Sequence, residues 1–376
     1  MTRGAEVPDE LLGRIILRDE VVAGRVRLHD GLISELVPDP DGARGPYLAP
    51  GFVDLHVHGW GGHDAMAGAD ALTGMSRALL RRGVTSFLPT AVTAPLDELR
   101  RFAADVRAWR PRAPGDGAEP LGFNLEGPFL APGRRGAHAA EHLRAPSDVP
   151  RAVIEELTHG LRVTTVAPEL DGAPDLIRTM AASGVVVSLG HSDATAAQAR
   201  EGYSAGARST THLFNAMSGL AHRDPGLAAV ALADDDVAVE LIADGHHVDP
   251  LLWPIVVRTK PPGGLLLVSD AVPPAGTGDG RALLGALQIE VRGDRATLLG
   301  SDTLAGSVIA LDSAVRNLVR HGIGLVAAVR AASTNPAELL GLRDRGAIEP
   351  GRRADVVELD DDLNLVGVLR GGIRLV

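Results

Sequence analysis

The chain has 376 residues, of which 45% are hydrophobic, and this is enough for one large domain and an accessory unit. Its net charge of −11 argues against nucleic acid as a partner, and its lack of cysteine excludes thiol nucleophiles, disulfides and iron–sulfur clusters. No apolar run approaches the ~20 residues of a membrane-spanning helix, and residues 1–12 lack the apolar core of a signal peptide. These properties predict a cytoplasmic protein without membrane contact.

The two ends of the chain share a pattern of short strands and turns. Residues 11–49 contain three such strands, and Asp30-Gly31 is a hairpin-type turn signal. Residues 341–376 show the same pattern, with breaks at Glu349-Pro350-Gly351 and at the acidic residues 360–362. Neither end buries enough surface to be stable alone. We therefore predict that residues 1–50 and 341–376 pair as one small β-sandwich.

Between these ends, eight short apolar runs alternate with helical patterns. Their continuous hydrophobicity is typical of strands buried on both faces of a parallel sheet. One helical pattern is residues 71–82, with Leu72, Met75 and Leu79 on one face and Gly83 as a stop. Eight strand-then-helix units over roughly 270 residues predict an α/β fold, a (β/α)8 barrel of the TIM type, at residues 51–340. The runs are residues 50–59, 85–91, 122–129, 163–169, 185–194, 209–217, 237–245 and 264–271, and a hairpin is predicted after them at residues 286–300.

The first run, PGFVDLHVHG, places His56 and His58 two residues apart. Side chains alternate along a strand, so both imidazoles point to the same side. A pair of hydrogen-bonded core histidines is one interpretation of this spacing. A shared divalent metal is the other, because it satisfies a ring nitrogen of each buried histidine.

Polar residues recur at the C-terminal ends of five runs, where a barrel of this kind carries its chemistry. They offer imidazole and carboxylate groups to one mouth, which is the ligand chemistry of zinc or iron. We therefore predict a divalent-metal site, with a second site through the two histidines of the first run. The strand-end residues are His56, His58, Glu126, His191, His212 and Asp270. The histidines without this placement are expected at the surface or behind the ligands: His29, His63, His142, His159, His222, His246 and His321.

Lys260 is the only lysine, and it lies in the loop before the eighth run. Many two-metal barrel hydrolases bridge their metals with a carboxylated lysine at a strand end, and no lysine is available at such a place. A bridging or anchoring role therefore falls to a carboxylate, for which Glu126 is the best candidate. The same absence argues against Schiff-base chemistry.

A set of motifs follows the predicted strands: PGFVDLHVHG, LEGPF, GAH, GHSDA, THLFNAM, HRDPG, ADGHHVD, SDA and LAGS. Together they resemble the N-acetylglucosamine-6-phosphate deacetylases, a family of the amidohydrolase superfamily. The paired histidines are common to the superfamily, whereas LEGPF, THLFNAM and the Gly-Ala-His loop at 136–138 are typical of this family. The resemblance spans about residues 51–307. It implies metal-dependent hydrolysis of the N-acetyl group of N-acetylglucosamine 6-phosphate, which gives glucosamine 6-phosphate and acetate.

The resemblance also implies roles for the residues at matching positions. Glu126, His191 and His212 resemble the principal metal ligands of the family. Asp270 resembles its general acid/base, and His138 resembles the residue that polarises the acetyl carbonyl. The family varies at the first strand between a histidine pair and non-ligating residues, so the resemblance is compatible with one metal or two.

Further residues resemble the family's contacts to substrate. Asn215, the backbone of Ala216, and His247 resemble contacts to the sugar phosphate. Arg223 resembles an arginine that reaches the phosphate bound by the neighbouring subunit, which implies a homodimer. The residues expected to line the sugar site are Ala137, His138, Leu304, Ala305 and Gly306.

Other interpretations stay open at this point. The chain is compatible with another amidohydrolase, acting on a cyclic amide or an N-acyl amino acid, although no lysine lies at a strand end. A catalytically silent barrel that senses a sugar phosphate is a second alternative, although no ligand and no strand-end aspartate is lost. Local alternatives are that Asn215 and His247 only cap loops, and that Arg223 pairs with Asp224. Residues 134 and 135, both arginine, are expected to be solvated.

Overall fold

The computed structural model describes residues 7–376. It begins with four strands: β1 (Glu10–Ile16), β2 (Val21–His29), β3 (Leu32–Pro38) and β4 (Tyr47–Pro50). Asp30 and Gly31 connect β2 to β3 with positive φ angles of 50° and 76°. Two successive positive φ angles define the two-residue hairpin turn that the sequence predicts.

The central part of the chain contains one strand for each predicted apolar run and three short additional strands. The eight principal strands are continuous in their burial, as expected for a parallel sheet covered by helices. In chain order the strands are β5 (Phe52–Val57), β6 (Gly59–Trp60), β7 (His63–Asp64), β8 (Val84–Ala91), β9 (Glu119–Pro120), β10 (Phe123–Glu126), β11 (Leu161–Val166), β12 (Val186–Leu189), β13 (Ser209–Thr210), β14 (Ala238–Leu241) and β15 (Leu265–Leu267).

The principal strands lie side by side in the order β5-β8-β10-β11-β12-β13-β14-β15, and all of their pairs are parallel. The two ends of this order meet where Val57 forms a parallel bridge with Ala271, just after β15. The backbone N–H of Asp270 also donates to the carbonyl of His56 at 2.8 Å. The predicted α/β barrel is therefore confirmed.

Helices surround the barrel strands. The helix predicted at residues 71–82 forms at 69–80, and Gly83 beyond it has a φ of 77°, a conformation that favours glycine. No helix within residues 7–376 is long and apolar enough to span a membrane. The helices are α1 (Ala69–Leu80), α2 (Leu96–Trp109), α3 (Arg151–Thr158), α4 (Ala173–Ala182), α5 (Ala196–Ser204), α6 (Leu227–Ala233), α7 (Trp253–Thr259), α8 (Leu311–Arg320), α9 (Leu325–Ala332) and α10 (Thr334–Leu339).

A small antiparallel sheet follows β15 and is larger than the sequence predicts. It contains β16 (Gly280–Leu284), β17 (Leu287–Arg292) and β18 (Arg295–Leu298), whereas the sequence predicts only the hairpin of the last two. β16 is mostly exposed, so it lacks the apolar pattern that identifies a strand. Its last residue, Leu284, packs with Val92 and Val272 from the barrel loops, which places this sheet beside the barrel mouth.

The last strands, β19 (Val356–Leu359), β20 (Leu365–Arg370) and β21 (Ile373–Arg374), join the first four in one seven-stranded sheet. Its order is β21-β20-β19-β4-β1-β2-β3, with β4 antiparallel to β19 and parallel to β1. The predicted pairing of the two chain ends is thus confirmed, and hydrogen bonding makes them a single continuous sheet. The limits predicted for the barrel domain, residues 51 and 340, stay predictions.

A buried ionic network joins this sheet to the barrel. Arg345 is 7% exposed and donates to Ser86 Oγ of β8 at 2.9 Å and to the Asp344 carboxylate at 2.7 Å. Glu119 of β9 lies 3.3 Å from Arg345 and also pairs with Arg353, just before β19. Burial would raise the pKa of Glu119, but Arg345 and Arg353 hold it below its ordinary value.

Replacing Arg345 by methionine should lower the free energy of unfolding by about 1 to 2 kcal/mol near neutral pH, because the half-buried Glu119 and the exposed Asp344 lose a charged partner and Ser86 Oγ loses a donor. The pKa of Glu119 is lowered in the folded chain, so its contribution is present above the ordinary value of 4.5 and is lost as pH falls through the lowered value. Urea unfolding of wild type and of Arg345→Met at neutral and acid pH measures this. The difference between their free energies of unfolding should become smaller at acid pH. Arg343→Met, at an exposed position, is the control, and a pH-independent difference would contradict the assignment to Glu119.

Candidate metal centre and active site

The predicted strand-end residues converge at the C-terminal mouth of the barrel. His56 lies in β5 and His58 follows it, and Glu126 ends β10. His191, His212 and Asp270 follow β12, β13 and β15 by two or three residues. All six are at most 6% exposed. They form two groups whose ligand atoms lie within 4.8 Å of one another, with Glu126 in both.

Each oxygen of Glu126 faces one of these groups. Oε1 lies 3.0 Å from His191 Nε2 and 2.9 Å from His212 Nε2. Oε2 lies 3.1 Å from His58 Nε2 and 3.4 Å from His56 Nε2. Asp270 Oδ1 completes the second group, at 3.1 Å from His58 Nε2 and 3.5 Å from His56 Nε2. Glu126 is thus placed to bridge two metal positions, as the sequence suggests for this residue.

The charges and hydrogen bonds of this cluster fit a bound cation. Glu126, Asp270 and Glu240 are buried carboxylates, and none of them forms an ion pair with an arginine or lysine in the described part of the chain. His56 Nε2 is buried without a hydrogen-bond partner. Buried anions and an unpaired imidazole nitrogen are costly unless a positive charge and a ligand bond compensate them. Histidine and carboxylate donors together suit zinc or iron.

The two groups differ in electrostatics. Burial lowers the pKa of His191 to about 4, so its ring is neutral and available as a ligand. Burial would also lower the pKa of His58, but hydrogen bonds to Asp270 and Glu126 raise it to about 9. Burial by itself would raise the pKa values of Glu126 and Asp270. The imidazole of His56 and its neighbours instead hold the pKa of Glu126 well below its ordinary value and lower the pKa of Asp270. Both carboxylates are therefore ionised at neutral pH.

Three of the six strand-end residues have left-handed backbone conformations. The φ angles are 46° for His191, 28° for His212 and 50° for Asp270. Such angles are rare for residues with a Cβ and cost free energy, and they persist where the surrounding structure holds them. Here the backbones are held by neighbouring strands: Ala131 N–H donates to the His191 carbonyl, and Ser307 N–H donates to that of Asp270. Concentration of this strain at one place marks a functional site.

His138 lies opposite the metal ligands, with Nε2 3.3 Å from Glu126 Oε2. The backbone N–H of Thr93 donates to His138 Nδ1 at 3.2 Å. Because Nδ1 accepts this bond, the neutral ring carries its proton on Nε2. His138 therefore presents an N–H donor to the centre of the mouth.

These groups open into a cavity of about 340 Å³. Asn215 and Ala216 line it, and the amide of Asn215 donates to the carbonyls of His212 and Leu213. His247 also lines it, and its Nδ1 donates to Asp244 Oδ2 at 2.6 Å. A larger open cavity of about 890 Å³ lies at the opposite, N-terminal ends of β13 and β14, away from both ligand groups. The other predicted residues in the wall of the smaller cavity are His58, Glu126, Ala137, His138, His191, His212, Asp270, Leu304 and Gly306.

Three predicted site residues lie elsewhere. His56 is fully buried behind the cavity wall, and Ala305 is buried beside Leu304 without lining the cavity. Arg223 is exposed on the loop before α6, and it forms no ion pair with Asp224 or with any other described residue. The structure therefore does not bring Arg223 into the cavity of its own chain. Lys260 is buried far from the ligands, where its Nζ donates to the carbonyl of Ala231 at 3.0 Å.

Sequence reasoning misses several residues at this site. Arg134, predicted to be solvated, lines the cavity and pairs with Asp193 at 2.8 Å. Its place two residues before the Gly-Ala-His loop is the signal that could have indicated this. Leu284 of β16 lines the cavity from the added sheet. Thr93 and Glu240 contact site histidines from distant parts of the sequence, and no local pattern indicates those contacts.

A barrel with such a histidine and carboxylate mouth defines a class of metal-dependent hydrolases, and the family model for the amidohydrolase family matches residues 47–373. The chain belongs to the amidohydrolase family. Membership implies a bound divalent metal, which the two ligand groups are suited to hold.

Individual relatives are more specific. The N-acetylglucosamine-6-phosphate deacetylase of Bos taurus is 39% identical over 378 residues, covering 94% of this chain and 91% of that protein. The N-acetylgalactosamine-6-phosphate deacetylase of Escherichia coli O157:H7 is 38% identical over 351 residues, covering 91% and 92%. A solved structure of a mutant N-acetyl-D-glucosamine-6-phosphate deacetylase from Mycobacterium smegmatis, in complex with N-acetyl-D-glucosamine-6-phosphate, is 34% identical. Its TM-score is 0.89, and the match covers 98% of this chain and 99% of that one.

Substitution of single histidines should show which of the two proposed metal positions each histidine serves. His212→Ala should lose the bound metal and also turnover, because it removes one of the three side chains in the group of Glu126, His191 and His212. His56→Ala should lose only a second, weaker metal. Metal content by mass spectrometry after gel filtration measures this, with the exposed His29→Ala as the control. Loss of all metal from the His56 variant, with retention in the His212 variant, would reverse the ranking of the sites.

Proposed function

We infer that this chain hydrolyses the N-acetyl group of N-acetyl-D-glucosamine 6-phosphate, giving D-glucosamine 6-phosphate and acetate, a step of amino-sugar catabolism. The observation that carries this inference is the convergence of one bridging carboxylate, four histidines, Asp270 and a donor-oriented His138 at one barrel mouth. The full-length similarity to deacetylases of this substrate supports the same conclusion.

The metal chemistry rests on two sets of residues. We propose Glu126, His191 and His212 as the ligands of one divalent ion, zinc or iron, and His56 and His58 as ligands of a second. When bound, such an ion lowers the pKa of water toward about 7 and polarises a carbonyl oxygen.

Two further side chains supply the proton transfers and the hydrogen bond to the substrate. Asp270 is ionised at neutral pH, so its carboxylate can accept a proton from the attacking water. The same proton is then returned to the leaving nitrogen, because an amide nitrogen departs poorly without protonation. The Nε2–H of His138 donates to the acetyl oxygen and stabilises the negative charge that develops on it.

The substrate phosphate is proposed to bind away from the metal ligands. Asn215, the backbone of Ala216 and His247 lie together in the cavity wall and offer donors to a phosphate. Arg223 is exposed and free of ion pairs among the described residues, which suits a residue that reaches the phosphate in the neighbouring subunit. We therefore propose a homodimer with a shared site, and a cytoplasmic location for it.

A second substrate is favoured by one comparison. A relative of nearly equal identity acts on N-acetylgalactosamine 6-phosphate, which differs only at one hydroxyl group of the sugar. The alternatives of a cyclic amide or an N-acyl amino acid have less support, since the only lysine is buried away from the ligands. Parallel assays on the two hexosamine phosphates distinguish the sugar substrates.

N-acetylglucosamine without phosphate should be a far poorer substrate than its 6-phosphate. Two charge-assisted contacts worth about 1.5 kcal/mol each correspond to a loss of kcat/KM on the order of a hundredfold. The measurement is acetate release from both sugars on a sample of known metal content. Comparable kcat/KM values would remove His247 and Arg223 from the phosphate site and reopen the question of substrate class.

Mixed dimers should reveal whether Arg223 acts in the partner's site. Arg223→Ala should lose about tenfold in kcat/KM, since it removes one phosphate contact, and Asp270→Asn should be nearly inactive, since it removes the proton acceptor. If the arginine acts in trans, a mixed dimer contains one intact site. Random reassociation of equal amounts in a two-fold dimer should then restore about a quarter of wild-type activity. Absence of rescue, once subunit exchange is verified by mass, would contradict the shared site.

A further inference from the structure

Glu240 is a buried carboxylate that no part of the proposed reaction uses. It lies in β14, is 1% exposed, and points into the barrel behind the metal ligands. Its Oε2 accepts from His56 Nδ1 at 3.2 Å and from the backbone N–H of His212 at 3.1 Å. No arginine or lysine pairs with it in the described part of the chain. The hydrogen bonds of its carboxylate therefore go to two residues of the candidate metal centre.

A buried carboxylate without a cationic side chain is costly, so its presence needs a compensating charge nearby. The fold offers that compensation only through the histidines and through the cations that they are suited to hold. The contact to His56 also fixes the ring. A carboxylate only accepts hydrogen bonds, so in the neutral ring that binds a metal Nδ1 carries the proton and Nε2 is left with the lone pair. His56 Nε2 is the atom that faces Glu126 and Asp270 and lacks any hydrogen-bond partner.

The contact to His212 acts on the backbone. His212 has a φ of 28°, an unfavourable angle for a residue with a Cβ, and Glu240 holds its N–H. One oxygen thus links the orienting nitrogen of His56, in one ligand group, to the strained backbone of His212, in the other.

We propose that Glu240 is a positioning residue that orients His56 for the second metal and ties the two metal positions together. The proposal rests on the metal-dependent function proposed above. In this proposal β14 contributes no predicted ligand, but its Glu240 orients the imidazole of His56 in β5. Carboxylates behind metal-bound histidines typically affect metal affinity tenfold to a hundredfold.

The test is a titration of the metal-free chain with Co²⁺, followed by visible absorption and by competition with a chelator. Wild type should bind two equivalents. Glu240→Leu, which keeps the volume but lacks an acceptor, should weaken the second equivalent by about tenfold to a hundredfold and the first equivalent less. Glu240→Gln keeps an acceptor oxygen and should retain more affinity than the leucine variant. It also replaces the leucine variant if that chain does not fold.

A double-mutant cycle distinguishes positioning from a general loss of structure. If Glu240 acts through His56, the losses should not add, so His56→Ala/Glu240→Gln should bind the second equivalent no more weakly than His56→Ala. Asp312→Asn, which alters another buried carboxylate, paired with Arg82, is the matched control and should bind both equivalents normally. Additive losses of affinity in the double variant would overturn the proposal. It would also be overturned if the Glu240 variants bound the second Co²⁺ equivalent as tightly as wild type, or if they lost only the first equivalent. Deacetylation by wild type, measured on the same sample, reports the proposed function separately.

Discussion

The mouth of this barrel depends on one constraint, which is that several buried carboxylates share a small volume without an arginine or lysine among them. Glu126, Glu240 and Asp270 are each at most 6% exposed, and among residues 7–376 their only ionisable partners of opposite charge are histidines. Buried anions are costly unless a positive charge compensates them, so this cluster is suited to bound cations. The arrangement of the strand ends, the left-handed backbones and the groups behind the histidines all fit such a site.

Different strands of the barrel contribute different groups to this site. The candidate histidine and carboxylate ligands lie in or just after β5, β10, β12 and β13, and Asp270 follows β15 with its backbone N–H bonded to β5. Strands that carry no ligand still contribute, because β14 presents Glu240 and the segment after β8 presents the backbone of Thr93 to His138. Ring orientation and tautomer are therefore decided by groups that never touch a metal.

The periphery completes the site without taking part in the chemistry. The small sheet of β16–β18 brings Leu284 to the cavity wall, and the seven-stranded sheet anchors the barrel through Arg345 and Glu119. The proposed separation of functions is spatial. Metal ligands and proton carriers lie deep in the mouth, whereas Asn215, Ala216 and His247 lie in the wall where a phosphate is proposed to bind.

The fold class and the set of candidate ligands at the strand ends could both be predicted from the sequence, because both are local signals. Continuous apolar runs identified all eight strands, and His56, Glu126 and Asp270 stood out as polar residues at their ends. The groups that orient those residues come into contact with them only in the folded chain. Glu240 is 184 positions from His56, and Thr93 is 45 from His138, so their contacts exist only after the barrel closes. A single glutamate inside an apolar run has no periodicity, and β16 has no apolar face, so neither leaves a pattern in the sequence.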